Sequence, residues 1–171
     1  MTFCIECDEG IGIEGFDPKE VFEKAALASL AHTDCPYECE ISLTLTDDPG
    51  IREMNREFRG IDKETDVLSF PMLDFKTPGD FSNAEDSFAD CFNPETGELM
   101  LGDIVISADR MKAQAEEYGH SLKREIAFLI VHSMLHLQGF DHIRTDDRTA
   151  MEAAQELILN TINIRREVLY E

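Results

Sequence analysis

The stretch HSMLHLQGFDH, from His132 to His142, limits what this chain can fold into more than any other. It holds three of the five histidines. His132 and His136 lie four positions apart inside the apolar run IAFLIVHSMLHL. On a helix, positions i and i+4 share a face, with Cβ atoms about 5–6 Å apart, so both imidazoles can reach one ion. An imidazole buried without a partner is costly, so two on such a helix need a reason. Gly139 can take a positive φ and end the helix, after which the chain turns back and His142 arrives. Three neutral imidazoles on one ion form a zinc-type site, and the open fourth position marks catalytic rather than structural zinc. The expected ligands are therefore His132, His136 and His142, holding one Zn2+ per chain. Nickel, copper and cobalt suit the same donors. The competing interpretation is that the three are core or capping histidines.

The spacing matches the metzincin proteases, where a Glu directly follows the first histidine as general base. Here that position is Ser133, which cannot act as a carboxylate base. Peptide hydrolysis by that route is disfavoured. Asp141, next to His142, is a candidate to orient it. His120 falls between two helices and is either a cap or a residue lining the site, and His32 is a solvated helix end.

The pattern around this segment is α+β, a small mixed sheet covered by helices. Thr2 to Cys7 is a short strand. Asp17, Pro18 and Glu20 start a helix with a capping box, running to about His32. Glu40 to Thr46 alternates, with Ile41, Leu43 and Leu45 inward and Ser42, Thr44 and Thr46 outward. Asp47-Asp48-Pro49 starts a second helix that ends near Phe58 and Gly60. Asp66 to Phe70 is a strand stopped by Pro71, and Leu99 to Ser107 a central one. Helices follow over about Ala108–Tyr118, from Ser121 through Leu137, and over roughly Asp146–Val168. Between Leu73 and Glu98 lies a long acidic loop, of a length that is usually functional or mobile. The 171 residues suggest a single domain, 1–171.

The formal net charge of −21 opposes any global attraction to nucleic acid, so phosphate binding would need a local basic groove. The densest basic patch is Arg52, Arg56, Arg59 and Lys63. The three arginines share a helix face and suit bidentate phosphate contacts, or else they pair with Glu53 and Glu57 on a solvated face. Thr65-Asp66 could cap or anchor the loop beside them. The five cysteines, odd in number and without a signal peptide, are expected to be reduced thiols. No apolar run approaches membrane-spanning length, and the N-terminus lacks a secretory pattern. A cytoplasmic location and no membrane partner are expected.

Three runs carry a family resemblance: NREFRGIDKETDVLSFP from Asn55, LGDIVIS from Leu101, and GHSLKREIAFLIVHSMLHLQGFDH from Gly119. Over about residues 40–160 the chain resembles the YbeY family, bacterial single-strand-specific endoribonucleases of rRNA maturation. The resemblance implies an α+β fold related to zinc hydrolases, with zinc on His132, His136 and His142 and with Arg59 as the active-site arginine. It also implies single-stranded RNA as substrate, action at the 3′ end of 16S rRNA, a part in ribosome quality control, and the small ribosomal subunit or its factors as partners. DNA is not an expected partner. The alternatives are a metal-dependent hydrolase of peptides or esters, and a non-catalytic ribosome-associated factor stabilised by zinc. His120 and Ser133 stand as candidate accessories in the nuclease mechanism.

Overall fold

In the computed structural model, which describes residues 1–164, four strands form one mixed sheet and helices cover it. β1 (Thr2–Cys7), β2 (Cys39–Thr46) and β4 (Leu99–Ser107) run parallel, and β3 (Val67–Pro71) pairs antiparallel with β4, giving the order β1-β2-β4-β3. The parallel pairs require crossovers. α1 (Pro18–His32) connects β1 to β2, and α2 (Asp48–Arg59) lies between β2 and β3. α4 (Ala108–Tyr118), α5 (Leu122–Leu137) and α6 (Thr145–Thr161) follow β4.

Local chemistry sets these boundaries. Asp47 caps α2 by accepting from the Gly50 N–H at 2.8 Å, and Gly60 ends it at φ +69°. Ser121 caps α5 by accepting from the Arg124 N–H, and Gly119 ends α4 at φ +67°. Asp17 caps α1 by accepting from Lys19 N–H, but the expected capping box does not close, because Glu20 pairs with Lys24 instead. The last helix is shorter than its sequence pattern suggested. It ends at Thr161, and Asn163 takes a positive φ of 61°. The part of the expected helix from 165 to 168 lies outside the described residues.

Ile41, Leu43 and Leu45 of β2 are fully buried, as their alternation requires, and so are Leu99, Leu101, Ile104 and Ile106 of β4. Thr46 departs from the expected outward position. It is buried and donates to Asp8 Oδ2 at 2.6 Å. α5 lies across the sheet and touches α1, α4, α6, β3 and β4, so it is apolar nearly all round.

The segment from Leu73 to Glu98 is more ordered than a plain loop. It contains a one-turn helix, α3 (Ala84–Ser87), and a 3₁₀ turn at Ala89–Cys91. Leu73 and Phe81 are buried in the main core, and Phe75 stacks edge-on against Phe81 with ring centroids 5.1 Å apart. Apart from Glu98, which is buried against Thr2 and the N-terminal amine, the acidic residues of the segment are exposed on the outer side of an aromatic plug.

Register between β2 and β4 slips by one residue at Glu40/Ile41, and Gly102 sits at the slip with φ +147°. A Cβ there would stand 2.4 Å from the Phe70 carbonyl oxygen on β3. That backbone atom is held in the ladder and cannot retreat. Gly102→Ala is therefore expected to cost about 2–4 kcal/mol, combining backbone strain with overpacking. Urea unfolding of the two proteins checks this, and a loss below about 0.5 kcal/mol would contradict it.

Candidate metal centre

His132 and His136 occupy one face of α5, and the turn after Leu137 brings His142 to them. Gly139 makes that turn at φ +91°. A Cβ on Gly139 would meet Phe75 Cβ at 2.5 Å, so the 73–98 segment packs directly on the turn that delivers the third histidine. The three side chains each offer a ring nitrogen, and these atoms lie within 4.8 Å of one another.

Two hydrogen bonds orient the rings. His136 Nδ1 lies 3.0 Å from the Phe140 carbonyl oxygen. A carbonyl can only accept, so Nδ1 carries the proton and Nε2 keeps its lone pair. His132 Nδ1 lies 2.7 Å from Gln155 Nε2 on α6. Gln155 can accept there through its oxygen, because amide oxygen and nitrogen exchange places by a half-turn. The two Nε2 atoms then face each other at 3.1 Å with neither holding a proton. Two imidazole nitrogens sharing a tetrahedral ion stand roughly 3.3 Å apart. The donor set fits a metal ion: nitrogen lone pairs converge, and each helical ring is held from behind.

Electrostatics favour the neutral rings that ligation requires. Burial, then the neighbouring His136 and His142, push His132 down to about 4. Burial is also the main cause of the lowered His136 value, with His142 next. Arg59 adds to that lowering, which places its positive charge within reach of the triad.

The basic patch divides. Arg52 pairs with Asp62 at 2.8 Å, and Arg56 pairs with Glu53. Arg59 instead turns from the end of α2 toward β3, donates to the Ser69 carbonyl, and lies over the Phe70 ring at 5.5 Å. Ser69 also shares a 2.6 Å hydrogen bond between its hydroxyl and that of Ser133, next to His132. Arg59 is thus tied through β3 to the helix that carries His132 and His136. Ser133 is fully buried in that contact, consistent with its failure to provide a general base.

Other expected positions resolve as follows. Asp141 accepts from the Ile143 N–H at 2.9 Å and shapes the loop, with no hydrogen bond to His142 among the described residues; the Phe140 carbonyl orients a different ring, that of His136. His120 hydrogen-bonds Glu125 and lines a cleft beside the triad, and His32 is exposed. Asp66 accepts from the Val67 N–H, anchoring the start of β3. The cysteines are free thiols, as expected: Cys4 and Cys7 are exposed, and the Cys35 and Cys39 sulfurs lie 3.8 Å apart without a bond. The sequence offered little sign of Gln155, an ordinary polar residue on an amphipathic helix, and none of Phe140, which acts through its backbone.

An α+β layer with two histidines on its central helix and a third on the turn that follows defines a protein with a candidate metal centre. Its relatives make the class specific. The family model for Endoribonuclease YbeY matches residues 5–163. A protein of Agathobacter rectalis called Endoribonuclease YbeY is 55% identical over 97% of this chain and 100% of its own length. Its counterpart in Lachnoclostridium phytofermentans is 47% identical over the same shares. The chain belongs to the YbeY family. The solution structure of a Thermotoga maritima protein shares the fold at a TM-score of 0.54 and 20% identity, covering 95% of this chain and 92% of that one.

Acid should weaken the metal-free protein. His132 has a folded pKa of about 4, below its ordinary 6.5. Between those values the unfolded chain binds the extra proton, so stability is complete above about pH 6.5 and falls as the pH drops toward 4. Partial solvent contact reduces the loss to about 2 kcal/mol. Urea midpoints from pH 7 to 4.5 should fall more steeply for the metal-free wild type than for His132→Asn. Parallel curves would contradict this.

Proposed function

We propose that the whole chain, 1–171, is one zinc-dependent, single-strand-specific endoribonuclease domain that cleaves RNA by metal-assisted phosphodiester hydrolysis. The observation that carries this reading is the pair of facing Nε2 atoms on His132 and His136, with His142 beside them and the Arg59 charge felt at His136. Names borne by relatives at 45–55% identity support the same activity.

In this proposal His132, His136 and His142 hold the ion. When bound, zinc polarises a phosphoryl oxygen or makes a water molecule acidic enough to attack near neutral pH. The remaining steps belong to the chain. Gln155 and the Phe140 carbonyl keep the ring protons on the outer nitrogens, so the inner ones stay free to donate. Arg59 holds the scissile phosphate and stabilises the charge that develops on it. Its bond to Ser69 uses one of five N–H groups and fixes the direction in which the others point.

The substrate proposed from the family is rRNA, at the 3′ end of the 16S molecule, with a part in ribosome quality control, contact with the small subunit and a cytoplasmic location. Among the described residues no helix is long and apolar enough to cross a membrane. A peptidase reading gains nothing from the site, since no carboxylate follows His132 and Ser133 is committed to Ser69.

The test is paired. Protein purified without a histidine tag is analysed for bound metals, and single-stranded RNA cleavage is followed before and after chelation. Near one zinc per chain is expected, with cleavage lost on chelation and restored by zinc. His136→Ala should lose the metal. Arg59→Glu should keep it and cleave at least about 100-fold more slowly, the size of effect seen when an anion-stabilising donor is removed. Full zinc occupancy in His136→Ala would overturn the ligand assignment, and unchanged cleavage in Arg59→Glu would overturn the role of the arginine.

A further inference from the structure

A cleft of about 820 Å³ opens beside the triad; His132 and His142 form part of its wall, and Arg59 does not line it. Its volume falls in the range of roughly 300–1,000 Å³ that accepts small molecules. Phe128 lies in the wall nearly parallel to the His132 ring, at an interplanar angle of 23° with centroids 6.2 Å apart. Met151 of α6 also lines it. Glu125 is the unusual member. Its side chain is 3% exposed, and it lines the cleft as a carboxylate inside an apolar helix. Among the described residues its side chain is hydrogen-bonded to His120 through one oxygen. A carboxylate has about four acceptor positions, so that bond leaves capacity unused.

The ligand's chemistry follows from the wall. Asp66, Glu125, Glu152 and Glu156 outnumber Arg124 and Arg148 in this wall, and Arg124 already donates to the Ile164 carbonyl, so the cleft disfavours phosphate and leaves the sugar-phosphate chain to Arg59. Flat apolar surface with buried acceptors suits a neutral aromatic ring that carries N–H donors. Unstacked bases of single-stranded RNA are read in this way, by stacking and by hydrogen bonds to their exposed edges. We infer that this cleft binds the nucleobase next to the scissile phosphate and that Glu125, held by His120, favours guanine. Guanine presents N1–H and N2–H side by side, matching a carboxylate. Uracil presents one N–H between two carbonyls, which a carboxylate repels. The inference rests on the nuclease reading and adds its base specificity.

The experiment has two arms. In the first, zinc-loaded protein cuts uridine heptanucleotides that carry a single guanosine at each position in turn, and the cut sites are mapped. Cleavage is expected to concentrate at a fixed bond beside the guanosine, about tenfold over the all-uridine chain, as one bidentate base contact discriminates. Glu125→Gln keeps the shape and a bond to His120, and should reduce that preference to within about twofold. In the second arm, metal-free wild-type protein is titrated with guanosine and with uridine while NMR follows Phe128 and Met151. Guanosine should move both signals at concentrations where uridine moves neither. Cleavage indifferent to the guanosine, or equal shifts with the two nucleosides, would overturn the guanine assignment. Signals unmoved by either nucleoside would overturn the cleft itself as a base site. If no RNA is cut at all, the nuclease reading fails, and the titration alone decides the cleft.

Discussion

Everything at this site depends on how α5 solves a solvation problem. The helix is buried on nearly all sides, yet it carries Arg124, Glu125, His132, Ser133 and His136. Each such group would cost several kcal/mol if left unpaired in the interior. Each is met by a partner from a different part of the chain. Arg124 donates to the Ile164 carbonyl, Glu125 takes His120, and His132 takes Gln155 of α6. Ser133 takes Ser69 of β3, and His136 takes the Phe140 carbonyl. The polar requirements of one helix therefore fix where β3, α6 and the 138–142 turn must lie. The metal centre is the point where the imidazoles left over after this pairing converge.

The same constraint explains the 73–98 segment. Its composition reads as a long acidic loop, and the exposed acidic residues fit that description. The position of the segment is set by Phe75, Phe81 and Phe88, which pack on one another. Phe75 also presses on Gly139, while the Gly79 N–H donates to the Gln138 carbonyl at 2.8 Å. A residue with a side chain at 139 would push Phe75 away and loosen the turn. The segment thus supports the return of His142, and its acidic residues other than Glu98 face outward.

Much of the fold was legible from short-range chemistry. The caps at Asp47 and Ser121, the terminators at Gly60 and Gly119, and the alternation in β2 are each decided within four or five residues. What stayed hidden was decided by distant partners. The buried position of Thr46 depends on Asp8, and the early end of α6 at Thr161 is not marked by a strong breaker in the sequence. At the site, the histidines were visible because i, i+4 spacing and a glycine are local signals. Gln155 is 23 residues from His132, and the Phe140 contact is made by backbone, which carries no residue-type signature. The division of the arginines was hidden for a related reason. Helical spacing puts Arg52, Arg56 and Arg59 together, and only the arrival of β3 gives Arg59 a different neighbour.

That division also bears on how a chain of net charge −21 could handle a polyanion. Exposed charges act over a Debye length of about 8 Å at physiological salt, so the total matters less than what lies within that radius of the site. Arg52 and Arg56 are each neutralised by a carboxylate on their own side of the molecule. Arg59 is joined to a carbonyl and an aromatic ring, neither of which cancels its charge. Its charge stands near His132 and His136, whose burial favours their neutral forms, in a protein that otherwise repels phosphate. Attraction confined in this way would do little to gather RNA from a distance. On the proposed nuclease reading it would do more to orient a phosphate that has already been delivered, with its charge toward Arg59 and its base toward the cleft beside His132.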